Sequence, residues 1–184
     1  MLRKSFFAVA AMASLSACTV FVPKATEPDE GPRARIRVVG AAGDLIVTPQ
    51  KQPDGRHGGF VGHGLLYPGT RHKLGMPDHE EPTRWADEYY VMAGQDVQVY
   101  YYFDMVTPGT KYGPGTRQTC GGINVDFHVD EGDDYEVSVR NEGAGRECVV
   151  EVRRIISLDG KTLFLPVPLR PHVFPKSAVA ADPR

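Results

Sequence analysis

The chain has 184 residues, with 21 Lys and Arg against 23 Asp and Glu. A net charge of −2 argues against nucleic acid as a partner and against an electrostatic grip on anionic lipid. Twenty glycines and fifteen prolines favour many short segments with frequent turns over long helices.

The chain opens on a targeting segment. Arg3 and Lys4 precede the apolar run from Phe6 to Ala13, and small residues follow up to Ala17, Leu15 excepted. This run is far short of the roughly 20 residues that cross a bilayer, so residues 1–17 read as a cleaved signal. Leu15-Ser16-Ala17-Cys18 resembles a bacterial lipobox. That resemblance implies cleavage before Cys18, a thioether-linked diacylglycerol on its sulfur and an acylated amine. Each buried methylene contributes about 0.8 kcal/mol, so several acyl chains anchor far better than one. By resemblance to enterobacterial lipoproteins, the lack of Asp at Thr19 implies the outer membrane over retention at the inner one, with the domain facing the periplasm or the cell surface. The alternative is a plain secreted protein with an incidental cysteine.

Assigning Cys18 to lipid leaves Cys120 and Cys148, an even pair in an oxidising compartment. A disulfide is expected, against two buried thiols or half of a metal site. Removal of Arg3 and Lys4 with the signal leaves 19 basic against 23 acidic residues.

Residues 18–32, with Pro23, Pro28 and Pro32 among Glu27, Asp29 and Glu30, read as a lipidated start and flexible tether. Ala34 to Val39 alternates Ala34, Ile36 and Val38 against Arg33, Arg35 and Arg37, the period of a strand. Asp44 to Thr48 follows as a second strand. Residues 49–83 are broken by five prolines and seven glycines, with short strands expected near Phe60–Val61 and Leu65–Tyr67. A stretch this irregular is where function often lies.

From Trp85 the pattern is strongly β. Glu88–Met92 and Asp96–Phe103, joined by Ala93-Gly94-Gln95, read as a hairpin. Val97, Val99, Tyr101 and Phe103 share one face; Gln98, Tyr100 and Tyr102 share the other. Residues 104–118 read as a loop or an extended hairpin end. Further strands carry Ile123 to Val129, Tyr135 to Val139, Cys148 to Val152 and Thr162 to Leu165, the last after an Asp159-Gly160 turn. The fold class is all-β: an antiparallel β-sandwich of about seven to nine short strands over residues 33–165. The tail 166–184, with five prolines, reads as extended or disordered.

Gly132-Asp133-Asp134-Tyr135 resembles the tyrosine corner of Greek-key sandwiches, and residues 85–155 loosely resemble transthyretin-like and carboxypeptidase-regulatory-like modules. The whole is similar to small proteobacterial lipoproteins with a strand-rich body, a paired cysteine and no assigned chemistry. The resemblance supplies a fold and an anchor but no catalytic residues.

Candidate chemistry is thin. His57, His63, His72 and His79 lie among Asp54, Asp78, Glu80 and Glu81, donor types that suit a transition metal. No two of them have the spacing that brings ligands together, so solvated loop residues are the favoured reading. Tyr100 and Tyr102, with Trp85, are the candidate contacts for a protein or glycan partner, against covered aromatics of a sandwich. Gly160-Lys161-Thr162 has Ile155 where a phosphate loop needs glycine, and no G-x-S-x-G occurs. The expectation is a binding or assembly module for another envelope protein, without catalysis, metal or cofactor. The alternatives are a metal-dependent or carbohydrate-active envelope enzyme using the 49–83 stretch, and an inhibitor of an extracytoplasmic enzyme.

Overall fold

The computed structural model describes residues 24–39, 43–55, 61–63, 72–77, 86–111, 113–142 and 147–173. Cys18, His57, His79, Trp85 and the signal lie outside these residues. The described chain forms strands β1 (Arg33–Val39), β2 (Asp44–Pro49), β3 (Val61–His63), β4 (Ala86–Met92), β5 (Gln95–Thr107), β6 (Thr116–Val129), β7 (Asp134–Glu142), β8 (Glu147–Leu158), β9 (Lys161–Pro166) and β10 (Arg170–Pro171). No helix occurs among the described residues. The strands form two five-stranded sheets, ordered β4-β1-β7-β8-β9 and β10-β6-β5-β2-β3. Every pairing is antiparallel except β1 with β7.

Period-two alternation sets the core. Ala34, Ile36 and Val38 meet Tyr135 and Val137 on the inner side of the first sheet. Leu45, Val47, Val97, Val99, Tyr101 and Phe127 line the inner side of the second, all fully buried. Each such side chain contributes about 1.5–3 kcal/mol through the water it no longer orders. The sheets are cross-linked between β6 and β8 by the Cys120–Cys148 disulfide, with Cα atoms 5.8 Å apart. The pairing expected from the cysteine count is present, and it joins the two layers. Asp159 and Gly160, both at positive φ, make the tight turn between β8 and β9.

Three expectations need correction. The hairpin expected at residues 88–103 is not one, because β4 belongs to the first sheet and β5 to the second. Both strands carry an apolar inner face, so the Ala93-Gly94 corner folds one over the other instead of beside it. Ala93 donates its N–H to Pro32 O at 3.0 Å and Gly94 donates to Val129 O at 2.8 Å, tying the corner to both layers.

The tether is not free up to residue 32. Ala25 is in the core, Thr26 N–H donates to Gln52 Oε1 at 2.9 Å, and Glu27 Oε2 accepts the Tyr90 N–H at 2.8 Å. The Glu27 carboxylate satisfies an edge donor of β4, which fixes the segment along that strand. Nor does the body end at Leu165. Val167 donates its N–H to Val152 O, Val167 and Leu169 pack on the core, and β10 crosses to pair with β6. Prolines suit this path because the backbone needs few donors where it bridges the layers.

Candidate functional site

The two outer faces of the sandwich differ. On the first sheet, Arg37 lies between Glu88 of β4 and Glu136 of β7, and all three are essentially fully buried. Arg37 Nη2 donates to Glu88 Oε1 at 2.9 Å, and Nη1 lies 3.6 Å from Glu136 Oε2. The segment 72–77 lies over this cluster as a strap. Its Met76 and Pro77 carbonyls accept from Arg37 at 2.9 and 2.8 Å, and its Leu74 and Met76 amides donate to Glu88 Oε2. Burial alone pushes the Glu88 carboxyl up, but the Arg37 contacts and the two amides outweigh it and hold it below its ordinary range. Arg153 completes the ladder at 2.8 Å from Glu136.

The outer face of the second sheet is an open grid. Register places Thr48, Gln98, Asp126 and Arg170 in one row across β2, β5, β6 and β10. Ile46, Tyr100 and Asn124 form the next, and Asp44 and Tyr102 the third. Gln98 Nε2 donates to Asn124 Oδ1 at 2.9 Å. The Tyr100 ring lies against Gly122, where an added Cβ would stand 3.3 Å from a ring carbon. Glycine there leaves room for the ring to lie on the sheet. Tyr102 is 40 % exposed.

Past this grid, β5 and β6 run on as a two-stranded arm. Pairing of β2 ends at Asp44–Tyr102, and the register shifts between Tyr101 and Phe103. Strands β5 and β6 then continue together to Thr107–Thr116, and a Thr110–Gly113 bridge closes the tip. Among the described residues no other strand pairs with Phe103–Thr107 or Thr116–Cys120 on their outer edges. Met105 and Val106 stand 45 % and 64 % exposed, on opposite faces. Arg117 donates to both carboxylate oxygens of Asp104, at 3.0 and 2.6 Å, and holds that carboxyl below its ordinary range. The disulfide sits at the base of the arm.

At the opposite end a cleft of about 520 Å³ opens between the sheets, lined by Asp96, His128, Arg154, Leu165, Val167 and Arg170. Its polar groups are paired with one another. His128 and then Arg170 hold the Asp96 carboxyl below its ordinary range, against a burial that pushes it up. Arg154 donates to Asp133 at 2.7 Å. Beneath them the Tyr135 hydroxyl accepts the Asp130 N–H at 3.0 Å and donates to Asp133 at 3.2 Å, the upstream bond that a tyrosine corner makes. Burial pushes the Tyr135 hydroxyl up to about 12.

Of the residues singled out in the sequence, Tyr100 and Tyr102 come together on the open face. Tyr89 and Tyr90, in the strand expected to form a hairpin with theirs, are in the other sheet: Tyr89 is buried and Tyr90 lies under the Arg33 guanidinium at 4.1 Å. His72 is in the strap, its Nδ1 2.8 Å from Glu88 O, and His63 is on β3 opposite Leu45. Among the described residues no three His, Cys, Asp or Glu side chains are grouped to hold a metal. The sequence reading missed the Arg37–Glu88–Glu136 cluster. Its available signal was three arginines in successive outward positions of β1, Arg33, Arg35 and Arg37, facing acids in two later strands. No family profile, no curated protein and no solved structure shows a significant match to this chain.

Proposed function

We propose that this chain is a lipid-anchored envelope lipoprotein that binds another envelope protein and performs no catalysis itself. Acyl chains on Cys18 hold it at the outer membrane. The β5–β6 arm is the contact element. One observation supports this reading above the others: a disulfide-based ribbon projects past its sheet with Met105 and Val106 exposed on its two faces. Open strand edges flanked by apolar side chains are where another chain adds a strand. On the first sheet the strap covers the outer face over Arg37 and Glu88.

The anchor and the arm are tested together in cells. Cys18→Ser is expected to move the protein from the membrane fraction to the soluble one or to leave it unprocessed. A photo-crosslinker at position 106 is expected to yield a discrete protein adduct that one at position 158 does not. A Cys18→Ser protein still firmly in the membrane removes the anchor, and identical adduct patterns at both positions remove the arm.

A further inference from the structure

We propose that the open face of the second sheet is a platform for a neutral saccharide chain, with Tyr100 and Tyr102 as stacking rings and the Gln98–Asn124 pair as the hydrogen-bonding edge. This goes beyond the protein-binding reading, which uses the arm, and does not depend on it.

Asp126 receives His172 Nδ1 at 2.9 Å from each of its oxygens. Asp104 is held by Arg117, and Asp96 by Arg170 at 2.7 Å and His128 at 3.1 Å. Each of these carboxylates already accepts a hydrogen bond from a neighbouring side chain, so they offer little to a ligand. The unsatisfied capacity is in the amides. Gln98 uses one N–H on Asn124, and among the described residues nothing else engages either side chain. Gln98 keeps its carbonyl and a second N–H; Asn124 keeps both N–H groups. Paired donors and acceptors beside one another suit vicinal hydroxyls, which give and accept at once.

The apolar part of the face fits the same ligand. Tyr100 and Tyr102 are two residues apart on one side of β5, so their Cα atoms stand about 7 Å apart along the strand. Tyr100 is kept down on the sheet by the space at Gly122. Tyrosine presents ring area at small entropic cost and carries a polar tip. A protein interface core would want a larger apolar centre; here Ile46 and the two rings stand among amides and carboxylates. The platform is about 14 Å across its four strands, room for two or three sugar units.

The test uses the purified full chain and two probes, the β-1,4-linked hexasaccharides of glucose and of N-acetylglucosamine, titrated by calorimetry and by amide NMR. At least one is expected to bind, with shifts confined to Gln98–Tyr102 and Gly122–Asp126. Tyr100→Ala and Gln98→Ala should each weaken binding about tenfold, and Tyr100→Phe less. Gln98 is at the surface, so its variant keeps the test valid if Tyr100→Ala disturbs the sheet. Met105→Asp should leave the sugar affinity unchanged, which separates this site from the arm. The proposal is overturned if neither sugar binds, if both alanine variants bind as the parent does, or if the shifts fall in the cleft. A protein captured through Tyr100 with no sugar binding would overturn it as well and assign the face to that protein.

Discussion

Replacing Arg37 by Met tests the largest electrostatic commitment of the fold. The substitution keeps the volume of the stem but leaves Glu88 and Glu136, each about 1 % exposed, without their shared guanidinium. Breaking a buried ion pair from one side costs about 3–5 kcal/mol, because the remaining charge is desolvated and uncompensated. Glu136 would keep Arg153 at 2.8 Å, and Glu88 would keep Lys73 at 3.7 Å together with the Leu74 and Met76 amides. These partners place the expected loss near the lower end, about 3 kcal/mol, or roughly 10 °C in Tm for a domain of this size.

The pH dependence has a definite sign. In the parent, Glu88 is held below its ordinary value of 4.5. Its contribution is therefore full above that value and lost as pH falls through the lower, folded one. In Arg37→Met, burial dominates and the carboxyl rises, so acidification neutralises the stranded charge. The gap between the two proteins should narrow from pH 7 downward. Denaturant unfolding across that range measures it. Hydrogen exchange at Leu74 and Met76 should accelerate, since both amides donate to Glu88. A loss under about 1 kcal/mol at pH 7, or a gap that widens in acid, would show that this cluster does not hold the strap.

Two other outcomes follow from the same geometry. Reducing Cys120–Cys148, or replacing both by Ser, releases a loop of 28 residues and should cost about 3.5 kcal/mol in guanidinium unfolding; an unchanged midpoint would mean that the inter-sheet link adds nothing. Tyr135→Phe keeps the ring but strands the Asp130 N–H and frees Asp133, for an expected loss of about 1–2 kcal/mol by thermal melting; a neutral variant would mean that the corner is held by packing alone.

Alternation and turn chemistry are local properties, and they are legible in the chain. Ile36, Val47, Val99 and Phe127 declare an inner face by period two, and Asp159-Gly160 declares its turn by tolerance of positive φ. The same reading exposed Tyr100 and Tyr102 as one side of a strand. It could not say which strands share a sheet. Ala93-Gly94 would serve a hairpin or a corner, and only the pairing of β4 with β1 and of β5 with β2 and β6 selects the corner. That choice moved Tyr89 and Tyr90 away from the Tyr100 face.

What the amino-acid order determined by itself was a strand-built body with a period-two core, because side-chain alternation and short-range turn preferences need no distant partner. Tertiary structure decided which polar positions are buried. Arg37 looks like Arg35 in the sequence, yet it is sealed, because Glu88, Glu136 and two strap carbonyls converge on it from segments up to 99 positions away. It also decided which outer face remains open, since a residue is covered only by what folds over it.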